Sequence, residues 1–330
     1  MSNNLQLSFA CHNYDRIQPL IDGSIKPEGI DLICISNTGA ETFFRMLRHK
    51  EFDMCEMSLS SYVATLFSDD PAFIAIPVFP SRLMRHSCIF INTESRINSP
   101  EDLVGKRVGI PEWQMTATVW IRGFLQDDYG VPVESVKYFS GGVVNPGRME
   151  KIPINLPPSI SLTPIAPDKT LSQMLEDGEI DALYHAGTPP IYYTGKHVKR
   201  LFENYAEVEQ EYYRKTRIFH IMHTFVIRRD VYERHPWIAQ SMMKALTTAK
   251  DKACREMTDT GGLKYTLPWL LDHIEKTREL MGEDYWPYGV EPNRHTLETF
   301  LRYSYEQSLS KRLLKPEDIF APESLESWKL

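Results

Sequence analysis

Residues 52–79, FDMCEMSLSSYVATLFSDDPAFIAIPVF, decide the fold class. Phe52 to Met57 reads as a strand. Ser58 or Ser60 then stands where a helix N-cap belongs, and Val63, Leu66 and Phe67 follow at helical spacing until Ser68-Asp69-Asp70-Pro71 stops the run. Phe73-Ile74-Ala75-Ile76-Pro77-Val78-Phe79 has no polar alternation, the mark of a strand covered on both faces in a parallel sheet. Strand, helix and strand at this pitch make a βαβ unit, so the chain is α/β.

The same alternation continues outward. Upstream, Leu5–Cys11 and residues 31–35 read as strands around the turn residues Asp22-Gly23 and Pro27-Glu28-Gly29, and residues 41–50 place Phe43, Phe44 and Leu47 on one helical face. Downstream, residues 88–91 are an apolar strand. Leu103 to Ile110 opens a fresh unit whose helix starts near Thr116 and carries Trp120, Ile121, Phe124 and Leu125. Residues 136–139 and 180–184 read as further strands around a short helix at 170–179, and residues 217–228 as a long apolar strand. That strand leads into a helix with Pro236 at its start and Ile238, Met242, Ala245, Leu246, Ala249 and Ala253 on one stripe. A last helix covers residues 294–310. Residues 141–168, with Pro146, Pro153, Pro157, Pro158, Pro164 and Pro167, show no period; they read either as a lid or binding loop or as a passive surface excursion.

Composition narrows the function. In 330 residues, 42% are hydrophobic and 25% charged, which excludes wholesale disorder. The net charge of −7 argues against phosphate-backbone recognition, so no nucleic-acid partner is expected. No apolar run approaches the roughly 20 residues of a bilayer span, so no membrane partner is expected either. Strand-like alternation begins at Leu5 with no basic and apolar leader before it, and the five scattered cysteines form no CxxC. The expectation is a cytoplasmic protein with reduced thiols.

Several phrases resemble the type II periplasmic-binding-protein fold. SPEDLVGKRVGIPE (99–112) resembles the crossing into a second lobe, HTFVIRRDVYERHPWIAQSMMKAL (223–246) the return, and LEDGEIDALYHA (175–186) the helix-strand unit before the cleft. NYDRIQPLIDGSIKPEGIDL (13–32) and YGVEPNRHTLETFLRYSYEQSL (288–309) are more specific and resemble the 4,5-dihydroxyphthalate decarboxylase family. The resemblance implies two α/β lobes with a ligand cleft between them, expected as residues 1–91 plus 226–330 and residues 92–225. It also implies a small aromatic dicarboxylate as partner and loss of one carboxylate to give protocatechuate.

In such lobes ligands meet the carboxyl ends of strands. After the first strand comes Arg16; after the third, Ser60 beside other hydroxyls; after the fourth, Arg82, Arg85 and His86. Arg offers a planar fork for a carboxylate, so Arg16, Arg82 and Arg85 suit a dianionic ligand, although ion pairing with nearby acids would explain them too. In the second lobe Glu112, Trp113 and Thr116 occupy a strand-to-helix turn. Glu112 is read as an acid/base or a first-turn helix acid, and Trp113 as a stacking platform or plain packing. Arg148 and His223 complete the substrate-binding candidates, with solvated charge as the bland account of Arg148.

The chemistry implied by the family demands a proton donor at the ipso carbon, because direct loss of the carboxylate would leave an aryl carbanion. A para hydroxyl, once ionised, feeds electron density to that carbon. His185, at a strand end, and His86 are the candidate donors, with Glu112 as a further catalytic group. No organic cofactor is required. A divalent metal on the catechol oxygens would help, but on one strand His220 and His223 would face opposite sides, so spacing gives it no support. The aromatic residues Tyr285, Trp286, Tyr288, Tyr303, Tyr305 and Trp328 are expected to cover the first lobe or to join copies of the chain in a homo-oligomer.

Overall fold

A computed structural model describes residues 4–325. Its strands are β1 (Leu5–Cys11), β2 (Ile30–Ser36), β3 (Met54–Ser58), β4 (Phe73–Ile76), β5 (Ile89–Asn92), β6 (Arg107–Ile110), β7 (Lys137–Ser140), β8 (Ser161–Pro164), β9 (Ala182–Tyr184), β10 (Val198–Arg200) and β11 (His223–Arg228). They form two sheets in two compact units. One unit holds the residues up to Arg82, His223–Leu297 and those from Lys315 onward; the other holds Leu83–Met222 and Glu298–Leu314.

The first unit has the strand order β2-β1-β3-β11-β4. β1 pairs in parallel with β2 over seven residues, from Leu5↔Ile30 to Cys11↔Ser36, and with β3 at Phe9↔Met54. β11 lies antiparallel between β3 and β4, which therefore run the same way, joined through the helix Leu59–Thr65. The βαβ reading of residues 52–79 is thus right in direction, with β11 inserted between its strands. The second strand stops at Ile76, because Pro77 has no N–H for the ladder. β4 is an edge strand yet wholly buried. Residues near the C-terminus cover it: Ala321 N–H donates to the Ala75 carbonyl at 2.8 Å, and the buried Tyr62 hydroxyl reaches the Ile319 carbonyl.

The second unit has the order β10-β5-β9-β6-β7-β8, with β5 antiparallel to both of its neighbours. Its helix Thr116–Tyr129 starts where the sequence placed it and ends on Gly130 in the left-handed region (φ 62°). The Pro-rich stretch contributes β8, paired in parallel with β7 from Lys137↔Ser161 to Ser140↔Pro164. A proline closing an edge strand costs no ladder bond.

Three expectations change. The strand foreseen at 217–228 begins only at His223; His220 lies before it, in the second unit, so the strand-spacing argument does not apply to that pair. The unit boundaries differ from 1–91 plus 226–330 and 92–225. Ile89–Asn92 pairs with β9 and β10 and belongs to the second unit, which also takes Glu298–Leu314. The helix Tyr205–Thr216 had no sequence reading, whereas Leu270–Met281 falls in the last seventy residues, where more helix is expected. The former buries only Tyr212, so it shows no apolar stripe. Among the aromatic residues proposed as a cover or subunit contact, Tyr288 and Tyr303 are buried and Tyr305 is 48% exposed; Trp328 lies outside the described residues.

Gly123, inside the helix Thr116–Tyr129, explains how Tyr303 packs there. A Cβ at this position would fall 2.1 Å from the Tyr303 ring, whose hydroxyl is held by Asp127 at 2.7 Å. Gly123→Ala should gain about 1 kcal/mol of helix propensity and lose about 1–3 kcal/mol to overpacking. Urea unfolding should therefore show a lowered midpoint; a raised one would mean that Tyr303 moves aside freely.

Candidate active site

The carboxyl ends of β1 and β3 and the start of β11 meet around one carboxylate. Glu56, on β3, is fully buried. An ionised carboxylate there would be costly without donors, and the fold supplies three. His223 Nδ1 lies 2.5 Å from Oε1, the Tyr14 hydroxyl donates to Oε1 at 2.6 Å, and the His12 backbone N–H donates to Oε2 at 3.0 Å. Burial alone would raise the Glu56 pKa; the bonds from His223 and Tyr14 and the His223 charge outweigh it, and it lies below the usual carboxylate value. Tyr14 is pushed the opposite way by burial and by the Glu56 charge, so its phenol keeps its proton.

Tyr14 also connects this carboxylate to Arg16. The Arg16 guanidinium sits between the Tyr14 ring at 4.2 Å and the Trp286 ring at 4.4 Å. Its Nε donates to the Pro80 carbonyl at 2.7 Å, Nη2 to the same oxygen, and Nη1 to Asp15 at 2.9 Å. Of the five N–H donors of an arginine, two remain. His223, Glu56, Tyr14, Arg16 and Trp286 therefore form one continuous cluster in the first unit. A cavity of about 260 Å³ lies beside it, lined by Asp15, Arg16, Lys250, Cys254, His273 and Trp286 among others.

The second unit holds a separate, electropositive cluster. Arg85 is buried and donates to the Ala186 carbonyl, with its Nε 3.0 Å from Met222 Sδ. His185, partly buried at the end of β9, has Nδ1 2.8 Å from the Gly187 carbonyl. Burial depresses its pKa, the Gly187 contact opposes that, and the charges of Arg148 and Arg85 depress it further. Glu112 is buried and accepts from Arg148 Nε at 2.7 Å and from Lys151 at 2.5 Å, so both cations of the Pro-rich stretch are committed to it. Nearby Glu150, raised to about 7 chiefly by burial, accepts from the Trp113 backbone N–H.

Other expected site residues serve their own units. His86 is fully buried, stacked on Phe124 at 4.2 Å, with neither ring nitrogen partnered; burial alone pulls its pKa down to about 4. Such a ring has no route to a substrate. Trp113 is also fully buried, with the Arg122 guanidinium 3.8 Å above it and its Nε1 donating to the Gln307 carbonyl, which leaves no free face for stacking. Arg82 is buried and ties Pro287 and Asn293 to its own loop. Ser60 and Thr116 are buried in the first turns of their helices; Ser58, at the N-cap, does not cap through its side chain.

Sequence reasoning missed Glu56, Tyr14 and Glu150. An acid in the otherwise apolar strand Met54–Ser58 was the available signal for Glu56, since a charge on a central strand requires partners. Among the described residues no group of three or more His, Cys, Asp or Glu side chains is placed to hold a metal ion, and no helix is long and apolar enough to cross a membrane.

No protein-family model matches the chain. Among solved structures, the periplasmic sulfonate-binding protein SsuA of Methylobacillus flagellatus aligns with a TM-score of 0.58 at 12% identity, covering 98% of this chain and 93% of that one. The aliphatic sulphonate binding protein SsuA of Escherichia coli gives 0.51 at 12% identity, over 96% and 97%. These likenesses show the fold, that of periplasmic binding proteins. The 4,5-dihydroxyphthalate decarboxylase of Pseudomonas putida is 43% identical over 193 residues, 58% of this chain and 75% of the relative. The enzyme of the same name from Comamonas testosteroni is 41% identical over 329 residues, 99% of this chain and 100% of the relative. With kinship extending from end to end of both sequences, the chain belongs to the 4,5-dihydroxyphthalate decarboxylase family of carboxy-lyases.

Proposed function

We propose that this chain removes one carboxylate from 4,5-dihydroxyphthalate, releasing carbon dioxide and protocatechuate. The observation that carries the reading is the end-to-end 41% identity to the Comamonas testosteroni decarboxylase. A fold of this kind hosts many functions, so the chemistry must be supplied by side chains at strand ends.

Each carboxylate of this substrate has a hydroxyl para to it. Ionising that hydroxyl raises electron density at the ipso carbon, which takes a proton; the carbon–carbon bond then breaks, its electron pair restores the aromatic ring, and carbon dioxide leaves uncharged. The site must hold the retained carboxylate, accept the hydroxyl proton and deliver the ipso proton. Arg16 is the anchor that the geometry supports best, with a guanidinium fixed in plane by two aromatic rings and donors left over. In the second unit, His185 is kept neutral by burial and by the charges of Arg148 and Arg85. The five free thiols suit a reducing, cytoplasmic setting, and copies of the chain are taken to associate.

The test is direct. Purified chain incubated with 4,5-dihydroxyphthalate should yield protocatechuate and carbon dioxide in equal amounts, followed by ultraviolet absorbance and chromatography. A shifted melting curve without product would leave only a binding protein. Turnover of a different hydroxylated aromatic acid alone would move the substrate assignment.

A further inference from the structure

The reaction needs an acid that gives its proton to carbon, and the first unit contains a histidine built for that task. We infer that His223, oriented by the buried carboxylate of Glu56 and backed by the Tyr14 hydroxyl, is the acid that protonates the ipso carbon. The inference rests on the decarboxylase reading and adds to it the donor and the group that positions the donor.

Three observations carry it. The His223–Glu56 contact uses Nδ1, at 2.5 Å, so the tautomer is fixed and Nε2 is left as the working nitrogen, with no hydrogen-bond partner among the described residues. The ring is held a second way, edge-on to Phe43 at 4.9 Å, and its backbone N–H is tied to the Ser81 carbonyl, so its orientation is set before any ligand arrives. The carboxylate is fully buried whereas the His223 side chain is 22% exposed, so the pair points its imidazole outward. This is the arrangement in which a buried acid stabilises an imidazolium without itself taking the proton.

The other histidines at the strand ends fit the role less well. His86 is enclosed by aromatic rings, and His185 is kept neutral by burial and two arginines. His12 is exposed and packs edge-on against Tyr14 at 5.1 Å, with no carboxylate on its ring. The titratable and charged groups around the pair are Tyr14, His12 and Arg16 on the loop after β1, Cys11 on β1 and Cys55 on β3. The helix Gly39–His49 brings Phe43 against it. Tyr14, Cys11 and Cys55 are all pushed up, burial first, and stay neutral in the working range.

In the step itself the Nε2–H bond breaks and a C–H bond forms at the ipso carbon. The imidazolium becomes imidazole, and the electrons come from the ring phenolate. After carbon dioxide leaves, one proton from water restores the imidazolium, matching the one proton the overall reaction consumes. Because the acid must be protonated, turnover should fall on the basic side of the pH profile.

The experiment measures kcat and KM across pH for the wild type, His223→Asn and Glu56→Gln. Asn keeps a donor for Glu56 in place of Nδ1 and removes Nε2. Expected are a kcat loss of about 10²–10⁴-fold for His223→Asn with KM within about threefold. For Glu56→Gln the basic limb of the profile should move to lower pH by about one unit or more. If the wild type turns the substrate over but His223→Asn keeps its rate, or Glu56→Gln leaves the basic limb of the profile in place, the donor assignment is overturned while the decarboxylase reading stands. If the wild type makes no protocatechuate, both fall.

Discussion

Replacing Arg16 with alanine should lower kcat/KM for 4,5-dihydroxyphthalate by roughly 10²-fold or more. Truncating one member of a desolvated charge pair costs about 2–5 kcal/mol, and about 1.4 kcal/mol is a factor of ten. The loss should fall mainly on KM if the anchored carboxylate is the one retained in the product, since that contact is the same before and after the proton transfer. Arg16→Lys should recover little. An ammonium cannot fill the place between the Tyr14 and Trp286 rings as a flat guanidinium does, nor bridge Pro80 and Asp15 while offering a fork outward. Steady-state kinetics beside a melting curve decide the matter. Kinetic constants within about twofold of wild type would remove the anchor. Arg82→Ala is the instructive contrast: its guanidinium joins Pro287 and Asn293 within the first unit, so its loss should appear in the melting curve first.

The second large effect concerns stability against acid. Trp120, His220, Phe124 and His86 form a stacked series in the second unit, with ring separations of 4.6, 5.7 and 4.2 Å. Both imidazoles are fully buried; burial holds His86 at about 4 and His220 well below its ordinary value. In the unfolded chain each would titrate near about 6.5. Below that pH the unfolded state binds protons that the folded state refuses, so stability is complete above about 6.5 and falls as pH drops towards 4. The slope is about 1.4 kcal/mol per pH unit for each histidine, so His86 alone should cost about 2 kcal/mol between about pH 6.5 and 5. His86→Phe keeps the stack, loses no hydrogen bond and removes the titration. Its urea midpoint should fall less steeply with acid than that of the wild type, and equal slopes for the two proteins would refute this account.

Most of the architecture was legible in the chain because its signals are local. The helix start after β3, the apolar stripe from Ile238 to Ala253 and the stop at Gly130 each need only a few neighbouring residues. What escaped was non-local. That β11 slides between β3 and β4 depends on pairings more than 140 residues apart in sequence, such as Val226↔Ala75. β8 was hidden by its prolines, and its one neighbour is β7. The site divides the same way. Arg16, Arg85, His185 and His223 could be named as candidates because strand ends can be read from sequence. Residue type alone could not separate His86, inside an aromatic stack, from His223, whose ring meets a glutamate 167 residues away.

Neither unit is one uninterrupted stretch of polypeptide, and this shapes how the protein can be born. The edge strand β4, made early, is sealed by Ile319–Ala321, and the second unit draws on residues 298–314. A ribosome therefore holds both halves open until residue 321 has been made, and a nascent chain stalled or clipped before residue 319 would leave a bare apolar edge for chaperones or proteases to find. A chain that stops before residue 319 should give no soluble protein.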